Sequence, residues 1–353
     1  MKTFEIAVLA GDGIGQEVMT AAVDVLQTVC PSRFVFKDLP AGAGAYSELG
    51  ADLPTATLDA CRSADAIMLG AMGLPDVRKA DGTELVPQID LRIHLGLFGG
   101  VRPIRKIPNV PTILVSEQAD DIDFVLVRES TEGLFASMHK AEISNEAVRD
   151  SLLITRHVSE RLFDFSFKIA ERRKRNGKAG RLTCIDKANV LQSMAFFRAI
   201  FDERAALFPN ITTDAMYVDA MALQMVRQPW AYDVMVTENM YGDILSDLAA
   251  GLIGGMGFAP SADIGDKHAV FQPCHGTAPD IMGQGIANPT AMILSAAMML
   301  DWLGQVHGDA GFIDAAKAIE SAVDRTFAPD FLPYELGGKA NTAMIKDRIL
   351  SKL

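Results

Sequence analysis

The chain has 353 residues, 49% hydrophobic and 22% charged, which is enough apolar sequence for one large or two medium-sized domains. Its formal net charge of -12 argues against nucleic acids and anionic membranes as partners. The four cysteines have no C-x-x-C spacing, and the longest apolar run, residues 291–300, is about half a membrane span. We therefore expect a cytoplasmic protein without disulfides, a zinc ribbon or a membrane segment.

Short apolar runs alternate along the chain with longer segments of helical period, which predicts an α/β protein. The first strand, residues 4–9, precedes a glycine-rich turn and a helix from about residue 16 to residue 29. Further strands are predicted at 66–69, 112–115, 123–127, 180–185 and 234–237, and further helices at 149–174, 291–303 and 311–325. No obvious linker interrupts these elements, so we expect any second domain to be an insertion.

The glycine-rich turn is Gly11-Asp12-Gly13-Ile14-Gly15, between the first strand and the first helix. Its spacing differs from the G-x-G-x-x-G pattern of dinucleotide-binding folds, and no acidic residue closes a second strand about 20 residues later. We predict a tight turn whose backbone approaches a ligand.

Two aspartates, Asp243 and Asp247, follow the strand predicted at 234–237 and lie four residues apart on one face of a predicted helix. Carboxylates so placed repel each other unless a cation lies between them, and hard oxygen ligands suit Mg²⁺ or Mn²⁺. The alternative is a solvated acidic face, which the surrounding apolar and glycine-rich sequence disfavours.

The segment 239–247, Asn-Met-Tyr-Gly-Asp-Ile-Leu-Ser-Asp, resembles the signature of the isocitrate/isopropylmalate dehydrogenase family. Other motifs of this family follow its order, and the resemblance covers essentially the whole chain. These motifs are Gly11–Gly15, Arg102-Pro103, Arg128-Glu129, Asp186–Asn189, Tyr217–Ala220 and His275–Asp280. The resemblance implies a two-domain, open-sheet α/β fold, with a cofactor-binding domain at 1–98 plus 254–353 and an inserted dimerisation and substrate domain at 99–253.

Three arginines, Arg92, Arg102 and Arg128, lie among apolar residues. A buried guanidinium needs a partner, and its planar fork matches a carboxylate in a bidentate manner. Taken alone, the three residues are equally consistent with structural ion pairs. The resemblance implies that they bind the carboxylates of a malate derivative.

Lys187 and Asp219 each follow a predicted strand. A partly desolvated lysine beside a metal or another cation can act as a general base, although an isolated lysine is more often a surface residue. The resemblance implies that Lys187 assists removal of the C2 hydroxyl proton and that Asp219 binds the metal with Asp243 and Asp247. It also implies that Lys187 and Asp219 come from the partner subunit of a homodimer with shared active sites.

The loop His275-Gly276-Thr277-Ala278-Pro279-Asp280, followed by Asn288, is broken by glycine and proline, so its backbone can approach a cofactor closely. Without the resemblance, a plain connecting loop with a buried histidine is the simpler interpretation. With it, these seven residues are expected to bind the cofactor. The acidic side chain of Asp280 favours NAD over NADP because it can bond the ribose hydroxyls and repels a 2′-phosphate.

Three positions depart from the family pattern. Phe135 stands where the family has a tyrosine that protonates the enol, and Ser137, His139 and Tyr241 are alternative donors. Gln272 replaces the glutamate that isopropylmalate enzymes usually have beside the nicotinamide ribose.

The third departure is Gln88, which the resemblance implies is a substrate-binding residue. It stands where isopropylmalate enzymes have a leucine, with Val86 where isocitrate enzymes have a serine. An isopropyl group would leave a buried glutamine unpaired at a cost of about 1–3 kcal/mol, which favours a polar third substituent.

The resemblance implies NAD-dependent, Mg²⁺- or Mn²⁺-dependent oxidative decarboxylation of a 3-substituted (R)-malate such as 3-isopropylmalate or homoisocitrate. The alternatives are a tartrate, D-malate or isocitrate dehydrogenase of the same family and, from another class, a non-catalytic regulatory paralogue. Phe135 is the one feature that favours the paralogue, whereas the retained Lys187 and aspartates favour catalysis.

Overall fold

The computed structural model describes residues 2–138 and 140–353. Its strands are, in chain order, β1 (Phe4–Gly11), β2 (Phe34–Asp38), β3 (Ala66–Ala71), β4 (Gly99–Arg105), β5 (Asp123–Glu129), β6 (Glu142–Ile143), β7 (Val148–Arg149), β8 (Arg181–Asp186), β9 (Thr212–Tyr217), β10 (Val234–Thr237), β11 (Pro260–Ile264) and β12 (Ala269–Pro273).

The helices are α1 (Gly15–Val29), α2 (Ala43–Leu49), α3 (Thr55–Ser63), α4 (Pro87–Leu95), α5 (Arg156–Arg175), α6 (Gln192–Ala205), α7 (Val218–Arg227), α8 (Asn239–Leu252), α9 (Thr290–His307), α10 (Ala310–Asp324) and α11 (Thr342–Leu350). The alternation of strands with helices confirms the predicted α/β class.

The first of two compact units comprises the residues up to Leu95, Ile107–Ile113 and Ile253–Leu353. Its strands lie in the order β2-β1-β3-β12-β11, parallel except for the last pair. Helix α9 packs against β11, β12, α1 and α10. Because its sequence is apolar on nearly every side, α9 serves as the central helix of this core.

The second unit comprises Gly96–Lys106 and Leu114–Leu252. Its strands lie in the order β4-β5-β10-β8-β9, with β4 antiparallel to β5 and the others parallel. Helices α5 and α6 pack together over β8 and β10 and bury a set of phenylalanines, Phe163, Phe167, Phe197 and Phe201. Helix α8 packs against β5, which fixes the position of the acidic helix relative to Arg128.

Two predicted elements were wrong in place or extent. Residues 112–115 form no strand; Ile113 and Val115 are exposed there, and an apolar run does not make a strand without a neighbour to pair with. The helix predicted from residue 149 begins at Arg156, because the Thr155 hydroxyl accepts the N–H of Val158 as an N-cap.

None of the helices within residues 2–138 and 140–353 combines the length and the apolar character needed to cross a bilayer.

Candidate active site

The acidic pair of the second unit lies on a helix with a well-defined start. The Glu238 carboxylate, directly after β10, accepts the backbone N–H groups of Met240 and Tyr241 at 3.1 and 2.7 Å, which satisfies the first turn of α8. Asp243 and Asp247 then lie one turn apart on the same face. Partial desolvation, followed by the charge of Asp243, raises the pKa of Asp247. The repulsion between the two carboxylates fits a divalent metal ion as their shared partner.

Arg128, at the end of β5, is buried and held by α8. Its Nε and Nη2 donate to the Asn239 side-chain oxygen at 2.9 and 2.7 Å, and Nη1 donates to Asp243. The Asn239 amide in turn donates to the backbone oxygen of Glu132 at 3.0 Å, which fixes its orientation. Gly242 leaves room for this arrangement, because a Cβ there would lie 2.7 Å from the Arg128 side chain.

Arg102 lies on β4, beside β5, and is also buried. It donates to the backbone oxygen of Val101 at 3.2 Å. The charges of Arg128 and Arg102 both act to lower the pKa of Asp247. The two arginines and the acidic pair thus form one electrostatic cluster within the second unit.

Lys187 and Asp219 follow neighbouring parallel strands, β8 and β9, and form an ion pair of 2.7 Å. This hydrogen bond lowers the pKa of Asp219. The turn that carries Lys187 is fixed by the buried Asp186, which accepts the N–H of Ala188 at 2.8 Å and pairs with Arg198.

Among residues 2–138 and 140–353, no three histidine, cysteine, aspartate or glutamate side chains of one chain come together as a metal site. Asp219 is therefore not gathered with Asp243 and Asp247 within a single chain. The structure provides two of the three expected metal ligands in one place and the third elsewhere.

In the first unit, α4 carries Gln88 and Arg92 one turn apart. Arg92 donates through Nε to the buried Asp263 of β11 at 2.9 Å. Gln272 of β12 donates to the same Asp263 oxygen at 2.7 Å. Arg92 therefore forms a buried ion pair. A structural ion pair was the alternative to substrate binding that the sequence allowed for this residue.

The Gly11–Gly15 turn is tied to the predicted cofactor loop. The N–H of Ile14 donates to the Thr277 backbone oxygen at 2.9 Å. Gly13 has φ +57, and a Cβ there would lie 2.1 Å from that oxygen. Only glycine fits this position, so the turn positions the loop directly.

Asp12 of the same turn is buried and accepts three backbone N–H groups, those of Ala43, Gly44 and Gly73, at 2.7, 3.1 and 2.8 Å. Its carboxylate joins the start of α2 to the segment after β3. Asp12 is therefore a structural carboxylate.

A cavity of about 410 Å³ lies beside this loop. It is mostly apolar and lined by Ile14, Ala278, Ile281, Ile286, Asn288 and Glu335, among others. The His275 ring also lines it; the Nδ1 atom faces the Gly276 oxygen at 2.9 Å, and the buried Nε2 has no hydrogen-bond partner among the described residues. Burial lowers the pKa of His275, so a neutral ring offers one nitrogen to a ligand. An apolar cleft with an unpaired polar atom fits the adenosine half of a dinucleotide.

The other predicted cofactor residues have different surroundings. Ala278 has φ +38, a left-handed conformation that a non-glycine residue adopts at some cost and that is common at ligand sites. Gly276, Pro279 and Asp280 are exposed, so the Asp280 carboxylate is accessible to a ligand, whereas Thr277 is buried.

The Asn288 side chain is already bonded within the protein. Its oxygen accepts the N–H and hydroxyl of Thr290 at 3.1 and 2.6 Å at the start of α9, and its amide donates to Glu335 at 2.6 Å. Burial raises the pKa of Glu335. Asn288 therefore contributes to the cavity by fixing the backbone at the start of α9 and the side chain of Glu335.

Phe135, which replaces the expected tyrosine, lies with its ring centre 5.3 Å from the Arg128 guanidinium. It therefore lies beside the cluster of the second unit, where the absence of a hydroxyl removes a possible proton donor.

The alternative donors differ in availability. The Ser137 hydroxyl already donates to the Leu134 oxygen at 2.7 Å. Tyr241 is half-buried, and burial raises its pKa. His139 lies outside the described residues.

Sequence reasoning missed three side chains at these sites: Asn239, Asp263 and Glu335. Asn239 stands at the start of the recognised segment 239–247 and could have been found there. Asp263 and Glu335 have no local signal, because each acts through a partner distant in the chain.

Carboxylates beside buried arginines in one unit, and a mostly apolar cavity beside a glycine-rich turn in the other, are typical of an α/β dehydrogenase. The family model described as isocitrate/isopropylmalate dehydrogenase matches residues 5–349, and the chain belongs to this family. It is accordingly a β-decarboxylating dehydrogenase, an oxidoreductase.

The chain is 39% identical over 351 residues to the 3-isopropylmalate/3-methylmalate dehydrogenase of Methanocaldococcus jannaschii, covering 99% of this chain and 98% of that one. It is 40% identical to a 3-isopropylmalate dehydrogenase of Listeria monocytogenes, covering 99% of each. Among solved structures, isocitrate dehydrogenase from Methylococcus capsulatus matches with a TM-score of 0.87 and 34% identity over 99% of both chains. A β-decarboxylating dehydrogenase from Thermococcus kodakarensis matches with 0.81 and 34%, over 99% of this chain and 96% of that one.

Proposed function

We propose that the protein catalyses the NAD-dependent, Mg²⁺- or Mn²⁺-dependent oxidative decarboxylation of a 3-substituted (R)-malate. The observation that carries this proposal is Arg128, oriented by Asn239 and in contact with Asp243, one turn before Asp247. Such a cluster offers donors to a carboxylate and acceptors to a cation side by side. The names of the relatives, which act on 3-isopropylmalate or 3-methylmalate, support the malate skeleton.

Asp243 and Asp247 would hold the metal ion, and Asp219 of a second copy would complete its ligands. The bound ion would supply polarisation of the substrate's C2 oxygen, and bound NAD would supply the acceptor for the hydride from C2. Arg102 and Arg128 would bind substrate carboxylate, whereas Arg92 of the other unit is engaged by Asp263. Lys187, whose Nζ lies 2.7 Å from Asp219 Oδ1, would assist removal of the C2 hydroxyl proton as a neutral amine.

The cavity beside His275 would hold the adenosine of NAD. The exposed carboxylate of Asp280 would accept hydrogen bonds from the ribose hydroxyls and repel the 2′-phosphate of NADP, which makes NAD the expected cofactor.

A homodimer with shared active sites would bring Lys187 and Asp219 of one subunit to the acidic pair of the other. Exposed apolar side chains in the second unit support this assembly: Leu223 and Val226 on α7, Ile244 on α8, Ile143 on β6 and Val148 on β7. The separation of Asp219 from the acidic pair within one chain supports it independently.

The proposal is tested by Mn²⁺ titration and by turnover of a panel of malates with NAD and with NADP. Asp247→Asn is the sharper variant, because it removes a ligand charge without breaking the Arg128 ion pair to Asp243. We expect weaker Mn²⁺ binding and loss of metal-stimulated turnover. Asp314→Asn, an equal charge change on the exposed surface of α10, should change neither. Unchanged Mn²⁺ binding in Asp247→Asn, or a kcat/KM that favours NADP, would contradict the metal or cofactor assignment respectively.

A further inference from the structure

The segment between Gly133 and Thr155 is closed at its base by two pairs of hydrogen bonds. Gly133 and Leu153 each donate a backbone N–H to the backbone oxygen of the other, at 3.0 and 3.4 Å. Beside this bridge, the Glu132 carboxylate accepts the N–H of Thr155 at 2.9 Å and also its hydroxyl. Glu132 is only 9% exposed, so the loss of either donor would leave a carboxylate oxygen unsatisfied away from water.

The bonds between Glu132 and Thr155 replace a local capping contact of α5. Thr155 is the N-cap residue, and its hydroxyl accepts the N–H of Val158 at 3.4 Å. In a capping box, the residue three positions after the N-cap is a glutamate or glutamine that accepts the N-cap N–H. Val158 occupies that position and has no acceptor on its side chain. Glu132, 23 residues before the N-cap, supplies the carboxylate instead, so the start of α5 is tied to a distant turn.

The turn that carries Glu132 is fixed from its other side by Glu129. The Glu129 carboxylate is buried at the end of β5 and accepts the N–H groups of Thr131 and Glu132 and the Thr131 hydroxyl, each at 2.6 Å. Gly133 then passes close to the start of α8, because a Cβ there would lie 2.7 Å from a Glu238 carboxylate oxygen. The turn therefore has little room to move without breaking a buried hydrogen bond.

The same turn holds the buried arginine of the second unit through one atom. The Glu132 backbone oxygen accepts the Asn239 amide at 3.0 Å, and the Asn239 oxygen accepts Nε and Nη2 of Arg128 at 2.9 and 2.7 Å. The side-chain amide is planar, so a shift of the atom that accepts its N–H also changes the direction of its oxygen. A continuous series of hydrogen bonds thus runs from Thr155 through Glu132 and Asn239 to Arg128.

We propose that Glu132 is a positioning residue, whose bonds to Thr155 fix, through Asn239, the direction in which Arg128 presents its guanidinium to the substrate. The substrate part of this inference rests on the proposed function, in which Arg128 binds a carboxylate. A bidentate contact depends on the direction of the guanidinium plane as well as on its charge. Loss of the bonds to Thr155 therefore weakens carboxylate binding and spares the binding of NAD, which is assigned to the other unit.

The main variant is Thr155→Val, which nearly keeps the size of the side chain and removes the hydroxyl that bonds Glu132. NMR measures hydrogen exchange of the Arg128 Nε–H, whose signal is identified by its loss in Arg128→Lys. Steady-state kinetics with Mn²⁺ give the KM for NAD and for the malate that the wild type turns over fastest. We expect about 10-fold faster exchange, an about 10-fold higher KM for the malate and a change of less than about twofold in the KM for NAD.

Two further variants separate this contact from the capping of α5. Thr155→Ser keeps the hydroxyl, so exchange and both KM values should stay close to those of the wild type. Glu132→Gln leaves Thr155 as the N-cap but turns an NH₂ group toward one of its two donors. It should therefore change exchange and the KM for the malate in the same direction as Thr155→Val.

Asp309→Ala is the matched control, because it removes an N-cap bond to Gly311 and the ion pair with Arg33 from the start of α10, in the first unit. It should lower the melting temperature, as Thr155→Val does, and change neither exchange nor KM. Unchanged exchange in folded Thr155→Val and Glu132→Gln overturns the inference while the proposed function stands. Equal rises in the two KM values would also overturn it, because they would show a general loss of structure.

The exchange measurement needs no substrate, so it decides the positioning of Arg128 even if no malate is turned over. Absence of turnover with every malate would overturn the proposed function alone. Faster exchange with an unchanged KM for the malate would overturn the carboxylate-binding role of Arg128, and with it the role of Glu132 toward the substrate.

Discussion

Asn239 shows how a single side chain links two parts of the proposed catalytic cluster. Its oxygen accepts both Nε and Nη2 of Arg128, while its amide is fixed by the Glu132 backbone. Asn239 therefore holds the Arg128 guanidinium in an orientation in which its remaining nitrogen, Nη1, donates to Asp243. The sequence identifies the two charged partners by residue type, but it does not show that a neutral asparagine positions one of them.

Phe135, whose ring lies beside Arg128, allows a test of the missing proton donor. We expect Phe135→Tyr to raise kcat by up to roughly 100-fold, because a positioned acid speeds protonation of the enolate. The measurement is kcat with its solvent deuterium isotope effect in both proteins. The wild type should show a large effect that becomes smaller in the variant.

Phe196→Tyr is a matched control, since that ring also lies near an arginine, 5.5 Å from Arg156, but on α6. Equal small isotope effects and an unchanged kcat in Phe135→Tyr would mean that another group already supplies the proton. Such a result would make our account of this position wrong.

Among the secondary structure elements, burial helped but did not suffice to make a strand predictable. Strands β11 and β12 are buried at every residue and were not predicted, because proline and polar residues interrupt their short apolar runs. Strand β10 is buried at every residue and was predicted with its exact bounds. Strands β2 and β9 were missed, because each lies at an edge of its unit and has no fully buried residue. A continuous apolar run indicates a strand only where both faces of the sheet are covered by other elements.

The turn between β1 and α1 allows a direct test, because Gly13 lies against the loop that we assign to the cofactor. In Gly13→Ala, the new Cβ would meet the Thr277 oxygen at 2.1 Å, and that oxygen belongs to the backbone. The loop must move, so we expect the KM for NAD to rise about tenfold or more while kcat at saturating NAD changes less.

Gly50→Ala separates this clash from the general cost of a left-handed alanine. Gly50 has φ +74, but nothing lies within 4 Å of its added Cβ. Both variants should lose about 1 kcal/mol of stability to the backbone conformation, as measured by denaturant unfolding. A rise in the KM for NAD in Gly50→Ala equal to that in Gly13→Ala would contradict the positioning role of the turn.

At the scale of the whole molecule, the family's motifs indicated which residues matter but gave few of their contacts. The pairing of Arg92 with Asp263 joins residues separated by 171 positions, and no local pattern in the sequence indicates it. The Lys187–Asp219 pair was easier to anticipate, because parallel neighbouring strands end at the same edge of a sheet. Neither pair shows whether a second subunit would complete the proposed metal site.

Mixed dimers answer that question. Lys187→Ala removes the base and Asp247→Asn a metal ligand, so each homodimer should be nearly inactive. If Lys187 acts in the partner's site, a dimer of one chain of each kind has one intact site and one doubly altered site. Random mixing makes half of the dimers mixed, so about a quarter of wild-type activity should return.

The matched control mixes Asp243→Asn with Asp247→Asn. Both residues lie on α8 of one chain, so every site of the mixed dimer lacks one ligand and no activity should return. The two chains are joined by co-refolding, kcat is measured on the unseparated mixture, and different tags on the two chains give the fraction of mixed dimers. Activity equal to the sum of the two homodimers in the Lys187→Ala mixture would mean that each chain builds its own site. Asp219 would then have to reach the acidic pair of its own chain. In the structure it is instead paired with Lys187 at 2.7 Å.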